Sequence, residues 1–307
     1  MNKSFKVVFN KARGTLMAAN EITSSVQAKG TKVAVAVAVA MLAGTAAAAA
    51  DSVWQDAPSD AVTSAPDWKF EADNYAFNLS SGTSTFLSAS DTLKTYTFDK
   101  NLWVKGSGKD TRATGIWASG SGVTATNTGK IYVEATSGAN SWSQHALTAA
   151  NGATAINEGT IVAKNGYGMS VGTDKNGSGA AYLVNNGAIF VETQGAGMEL
   201  GGVANSTAEN TGTISVGKVE GNSFTIGVLV KEQSGSTFTN TGTISASEGT
   251  AAIRVEGTKD KAGYETTVDN TIVLSGASKV EGLIYNSASG TTFKFEKIGR
   301  ASCRERV

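Results

Sequence analysis

One histidine, one cysteine and two glycine-rich runs are the places in this 307-residue chain where residue type alone could signal chemistry. His145 stands beside Gln144 and close to Trp142, and an imidazole there could act as a general base. The sequence identifies no partner for it, so a surface loop is its expected place. The runs "GYGMSVG" (from Gly166) and "GAGMELGG" (from Gly195) have the glycine content of a phosphate-binding loop. No Lys-Ser/Thr follows either of them, so they read as turns. No GDSG-like serine setting, no Cys/His metal spacing and no DxDxDG calcium loop occurs. The acidic residues are scattered, whereas a lyase face needs Asp clustered with Arg or Lys. The expectation is therefore no catalytic residue, no metal and no cofactor. Cys303 lies in a basic tail, "IGRASCRERV" (Ile298–Val307), with three arginines around it.

The elements that would position any such residue repeat along the chain. "ATNTGKIYV" begins at Ala125, "AINEGTIVA" at Ala155, "LVNNGAIFV" at Leu183, "AENTGTISV" at Ala208 and "FTNTGTISA" at Phe238. Shortened copies begin at Phe98 ("FDKNLWV") and Val268 ("VDNTIVL"), and a last one at Phe293. A period of about 25–30 residues is that of a solenoid or array. Each phrase reads as strand, corner, strand. Counting by two places Ile131/Val133, Ile161/Ala163, Ile189/Val191, Ile214/Val216, Ile244/Ala246 and Ile272/Leu274 on one inward face. The residues between them, such as Tyr132, Val162, Phe190 and Ser215, are mixed, as a half-exposed face allows.

The Asn-x-Gly unit suits a bend, because glycine reaches positive φ freely and asparagine tolerates it. Asn127, Asn157, Asn185, Asn210, Asn240 and Asn270 are expected to stack as an amide ladder along that corner. A third strand per repeat, as in "GIWA", "YGMSV", "AGMEL", "IGVLV" and "AAIRV", makes three short strands per turn of chain. That is the pattern of an all-β, parallel β-helix, with roughly eight coils and a length near 40 Å. Loops of variable length fall at Lys105–Arg112, Thr136–Ser143, Gly172–Gly179, Lys231–Gly235 and Thr258–Tyr264, where a solenoid gathers its binding insertions.

The first fifty residues differ from the rest. They carry six Lys/Arg against one Glu, while residues 51–297 carry 17 Lys/Arg against 24 Asp/Glu, a net of −7. An acidic body argues against nucleic acid as a partner. The uncharged run Val33–Ala50 follows Lys29 and Lys32, and Ala48, Ala50 and Asp51 fit a signal-peptidase site with Asp51 starting the mature chain. A membrane-spanning helix is the alternative, but the run is rich in weakly apolar alanine and no stop-transfer cluster follows.

A 32-residue stretch precedes that core. It opens with Met1-Asn2-Lys3, then Phe5–Phe9, then Asn10-Lys11-Ala12-Arg13-Gly14. It resembles the extended signal peptide region of type V secretion, the autotransporter system of Gram-negative bacteria, with Phe9 in place of the usual tryptophan. The resemblance implies export across the inner membrane and delivery to the cell surface or beyond. It implies export machinery and outer-membrane assembly factors as partners. It also implies a right-handed β-helix, the usual passenger fold.

The tail interrupts the last repeat, and all ten of its residues match the translation of a common short-read sequencing adapter. It reads as an artefact, which leaves a passenger without cysteine, suited to an oxidising periplasm. The chain is then expected to continue as further coils and an outer-membrane barrel. The expected organisation is a signal peptide at 1–50, a mature N-terminal segment and cap at 51–97, β-helix coils at 98–297, and an artefactual tail at 298–307. One or two tryptophans of the first half should cover the N-terminal end of the stack. The functional expectation is an adhesin-like passenger, surface-bound or released, that binds an unidentified host or bacterial surface ligand without catalysis. The alternatives are the stalk of an enzyme passenger, or an exoprotein of the two-partner branch, although no Asn-Pro-Asn motif is present.

Overall fold

The computed structural model describes residues 54–65, 68–90, 93–108, 110–136, 144–172, 179–217, 224–247, 249–259, 263 and 266–296, together with the backbone of 8–10 and 15–17. Ala48, Ala50, Asp51, Trp142 and the tail Ile298–Val307 lie outside the described residues.

Each repeat folds as one coil of a parallel β-solenoid. In a middle coil, Tyr182–Asn185 lies on a first sheet, Ala188–Val191 on a second and Gly195–Gly201 on a third. Each strand pairs in parallel with its counterparts in the coils before and after it. Among the described residues the first and second sheets have eight strands each. The third has ten, two of them short leader strands, Val8–Asn10 and Thr15–Met17, antiparallel at the edge beyond Leu283–Asn286. An open sheet edge pairs with whatever backbone is offered to it. The stack begins at Asn74–Leu79, so its first coil lies within the N-terminal segment 51–97.

The period-two pattern places an aliphatic column on each wall. Ile131, Ile161, Ile189, Ile214 and Ile244 are fully buried along the second sheet. Met169, Met198, Val228 and Ile253 face them from the third. The glycine-rich runs are packing devices. A Cβ on Gly168, Gly197 or Gly227 would crowd the Cγ2 of Ile189, Ile214 or Ile244. The closest atom to that Cβ would be a carbonyl oxygen of the next coil, that of Gly197, Gly227 or Ala252, so close approach between coils and the isoleucine column together favour a bare backbone.

The corner glycines do something other than expected. Gly129, Gly159, Gly187, Gly212 and Gly242 are absent from the positive-φ positions; those include Asn151, Asn165 and Asn205, at other turns. What the corner demands is close approach. A Cβ on Gly159 would overlap the carbonyl oxygen of Gly129 in the coil below, and the same holds for Gly187 over Gly159 and Gly212 over Gly187. Each pair of corner N–H groups shares one acceptor: Glu158 and Gly159 donate to Asn127 O at 2.8 and 3.0 Å. Gly159→Ala is therefore expected to cost about 1–3 kcal/mol, because only backbone could yield. Glu158→Ala, at an exposed neighbour, should stay within about 0.5 kcal/mol. Urea midpoints check this; equal shifts would remove close approach as the reason for the glycine.

Two of the shortened copies have a different register. Tyr96 pairs with Ala125, so that phrase begins at Tyr96, with Phe98 opposite Asn127. Ile272 pairs with Phe238 and Leu274 with Asn240. Ile272/Leu274 therefore belong to the first sheet, and Val280 continues the isoleucine column. Aromatic rings close the N-terminal end: Phe70 lies 5.1 Å from Phe98 and 5.9 Å from Tyr75, and Trp68 lies 4.7 Å from Tyr96.

Candidate functional site

Two features concentrate polar chemistry: a buried amide column at the corner and a titratable diagonal on the outside of the third sheet. In the first, Asn127 Nδ2 donates to Asn157 Oδ1 at 2.8 Å, Asn157 to Asn185 at 2.8 Å, Asn185 to Asn210 at 2.7 Å, and Asn210 to Asn240 at 2.6 Å. Asn240 ends the run on Ser278 Oγ at 2.7 Å. All five asparagines are fully buried. Below Asn127 stands Phe98, whose side chain has no donor, and Asn127 Oδ1 is left without a partner.

Asn270 is not part of this column, contrary to expectation. Its Oδ1 accepts from Ser236 N at 2.9 Å and its Nδ2 donates to Gln233 O at 3.1 Å, so it closes the turn before the strand. Leu274 takes the ladder position instead. The phrase "VDNTIVL" lacks the residue and glycine that follow asparagine in the full corner, and that was the visible sign. The column's chemistry is internal: every donor is spent on a stacked neighbour, and no face of it reaches solvent.

On the third sheet, His145, Tyr167, Glu199, Lys231 and Arg254 lie on the outer face: His145 pairs with Tyr167, Glu199 and Arg254 both pair with Leu229, and Lys231 pairs with Gly201. His145 opens the strand His145–Ala150 and does not sit in a loop. Its ring stacks on Tyr167 at 5.1 Å, and its Nδ1 is sealed without a partner. Burial, with Arg112 and Lys231 nearby, pushes its pKa down to about 4, so it is neutral at pH 7. Burial holds Tyr167 protonated, reinforced by the Glu199 carboxylate. Burial also raises Glu199, while Lys231, 3.3 Å away, and Tyr167 oppose that shift. These groups could in principle move a proton. Tyr167 is fully buried and Glu199 nearly so, and Tyr167, Ala196, Ile226, Leu229 and Ala251 form a separate apolar cluster on this outer face.

The diagonal opens at its far end. A shallow cleft of about 110 Å³ is lined by Phe224, Gly249, Thr250, Arg254, Leu283 and Tyr285. The Arg254 guanidinium lies 4.5 Å from the Phe224 ring and 5.2 Å from the Tyr285 ring. Its Nη2 donates to Glu256 Oε1 at 3.2 Å. Sequence reading passed over Tyr167, Glu199 and Arg254. The available signal was a polar residue at the outward place of an otherwise apolar strand, as in "GMELG" and "AIRVE". Among the described residues no group of three or more metal-ligating side chains occurs.

Comparison with known proteins gives two matches. Residues 1–50 match the family model for the extended signal peptide of the type V secretion system. Residues 158–232 match the BigA third pectate lyase-like domain. The second span includes Tyr167, Glu199 and Lys231, but not His145 or Arg254. No curated protein and no solved structure matches the chain. The leader directs export across the inner membrane, to the surface or the medium, and implies contact with the export machinery. An extended type V signal joined to a parallel β-solenoid of pectate lyase-like coils supports an autotransporter passenger.

Proposed function

We propose that the chain is the rod of an adhesin-like passenger that acts by binding a surface ligand, without catalysis. The observation that carries this reading is the contrast along the third sheet. Tyr167 and Glu199 are buried, with Tyr167 part of the apolar cluster on that face, while the accessible cleft offers two aromatic rings and a guanidinium. Those are recognition groups: rings supply stacking area, and arginine supplies directed donors. The leader at 1–50, cleaved between Ala50 and Asp51, serves export, and outer-membrane assembly factors complete delivery. The coils form the exposed rod, and its ligand is a host or bacterial surface molecule.

The test is adherence of bacteria displaying the protein to cultured cells. Arg254→Ala and Tyr285→Ala should each lower adherence about tenfold at equal display. Unchanged adherence in both would remove the cleft as the binding site. The pectate lyase-like match keeps a second reading in view, a rod that acts on acidic polysaccharide. Release of unsaturated products from a polyuronate by the purified chain would establish that reading and end the non-catalytic one.

A further inference from the structure

The outer column of the second sheet changes character part-way along the rod. Ala76, Trp103, Tyr132, Val162 and Phe190 follow one another in register over five coils, and Ser215 and Ser245 occupy the next two places. An apolar stripe on an outward face needs a cover. The cover here is the chain's own beginning. The Trp54 backbone N–H donates to Glu192 Oε1 at 2.6 Å, and Lys164 Nζ lies 5.1 Å from the Trp54 ring centroid. The Trp54 ring meets Tyr132 edge-on at 5.7 Å. Gln55 O accepts from Trp103 Nε1 at 2.6 Å, and Gln55 Oε1 lies 3.2 Å from the Tyr132 hydroxyl. Trp103 and Tyr132 stack at 5.0 Å with an interplanar angle of 6°. Further along, Val62 N donates to Asn74 O and Val62 O accepts from Ala76 N, both at 2.9 Å. Residues 54–62 thus run back down the rod, from the strand that ends at Val191 to the first coil.

We infer that residues 54–62 are a latch that locks the first five coils into one cooperative block. A solenoid is ordinarily a nearest-neighbour structure, in which each coil is held only by the ones above and below and the terminal coil frays first. A strap bonded to the first and fifth coils at once removes that freedom. The first coil cannot open without releasing Trp54 from Glu192, Lys164 and Tyr132. The strap can close only after the strand Ala188–Val191 is in place, so closure reports that the block is complete. The stripe ends where the strap ends, which is the pattern expected if sequence and strap serve one purpose. When the strap is open, an aromatic groove over Trp103 and Tyr132 is bared.

Hydrogen exchange of the exported chain tests the latch. In the wild-type chain, Asn101–Gly106, Lys130–Ala135 and Thr160–Lys164 should exchange at one common rate. Trp54→Ala should speed all three by about tenfold to a hundredfold, from the loss of an aromatic pair and a cation–π contact. Thr243–Ala246 should be unaffected, and Trp54→Phe should restore part of the protection. Glu192→Ala, which removes the acceptor of the Trp54 N–H, should act in the same direction and serves if Trp54→Ala fails to fold. Unchanged exchange in both variants would overturn the latch. Acceleration that included Thr243–Ala246 equally would overturn it too, since that is general destabilisation.

Discussion

Ile214→Asp is expected to destabilise the rod by about 4 kcal/mol or more, enough to unfold its coil at ambient temperature. Ile214 is fully buried, stacked between Ile189 and Ile244, with its Cγ2 against the bare backbone of Gly197. A carboxylate there would have no counter-ion and no water. The adjacent Ser215 points outward and is half-buried. Ser215→Asp should cost about 0.5 kcal/mol or less, being a surface change away from any cap or network. Both variants place the same carboxylate on one strand, on opposite sides of it. A urea series in which both variants lose the same stability would mean that the inward and outward faces are exchanged.

Asn185→Ala should cost about 2–6 kcal/mol. Asn185 accepts from Asn157 Nδ2 and donates to Asn210 Oδ1, and all three are fully buried. Truncation strands one donor and one acceptor, and each buried unpaired group costs about 1–3 kcal/mol. Asn240→Ala should cost less, because its upper partner is the hydroxyl of Ser278, at a half-buried position. Phe98 and Leu274 occupy the places just beyond the ladder. The position itself therefore accepts an apolar side chain, and the penalty comes from cutting a hydrogen-bonded run internally. Thermal unfolding of the two variants decides this. A smaller loss for Asn185→Ala than for Asn240→Ala would show that the amides do not act as a chain.

The sequence by itself determined the class of fold, because a solenoid repeats one physical problem. A recurring inward isoleucine two residues before a second aliphatic, and an Asn-x-Gly before it, can be read without knowing which coil touches which. The leader was legible for the same reason: charge, an apolar run and small residues act locally, and its match to the type V signal spans residues 1–50. Register at the irregular copies was not legible. Asn270 and Asn240 sit in similar phrases, yet one closes a turn on Ser236 and Gln233 and the other stacks in the ladder, because the intervening loop shifts the strand by four residues. Nor was the reason for the corner glycines. Local propensity pointed to positive φ, whereas the constraint comes from a carbonyl about thirty residues away in sequence and one coil below.

Tertiary structure alone decided which outward residues matter. Tyr132, Val162 and Phe190 look like an indifferent mixed face along the chain, and only the return of Trp54 and Gln55 across them makes a covered stripe. Tyr167, Glu199 and Lys231 are separated by about thirty residues each, and parallel stacking brings them into one diagonal. Burial then holds Tyr167 protonated, pushes Glu199 up and keeps His145 neutral. Periodicity fixes what each coil does for itself. Contacts between coils, and between the coils and the chain's own beginning, depend on distances that no single repeat encodes.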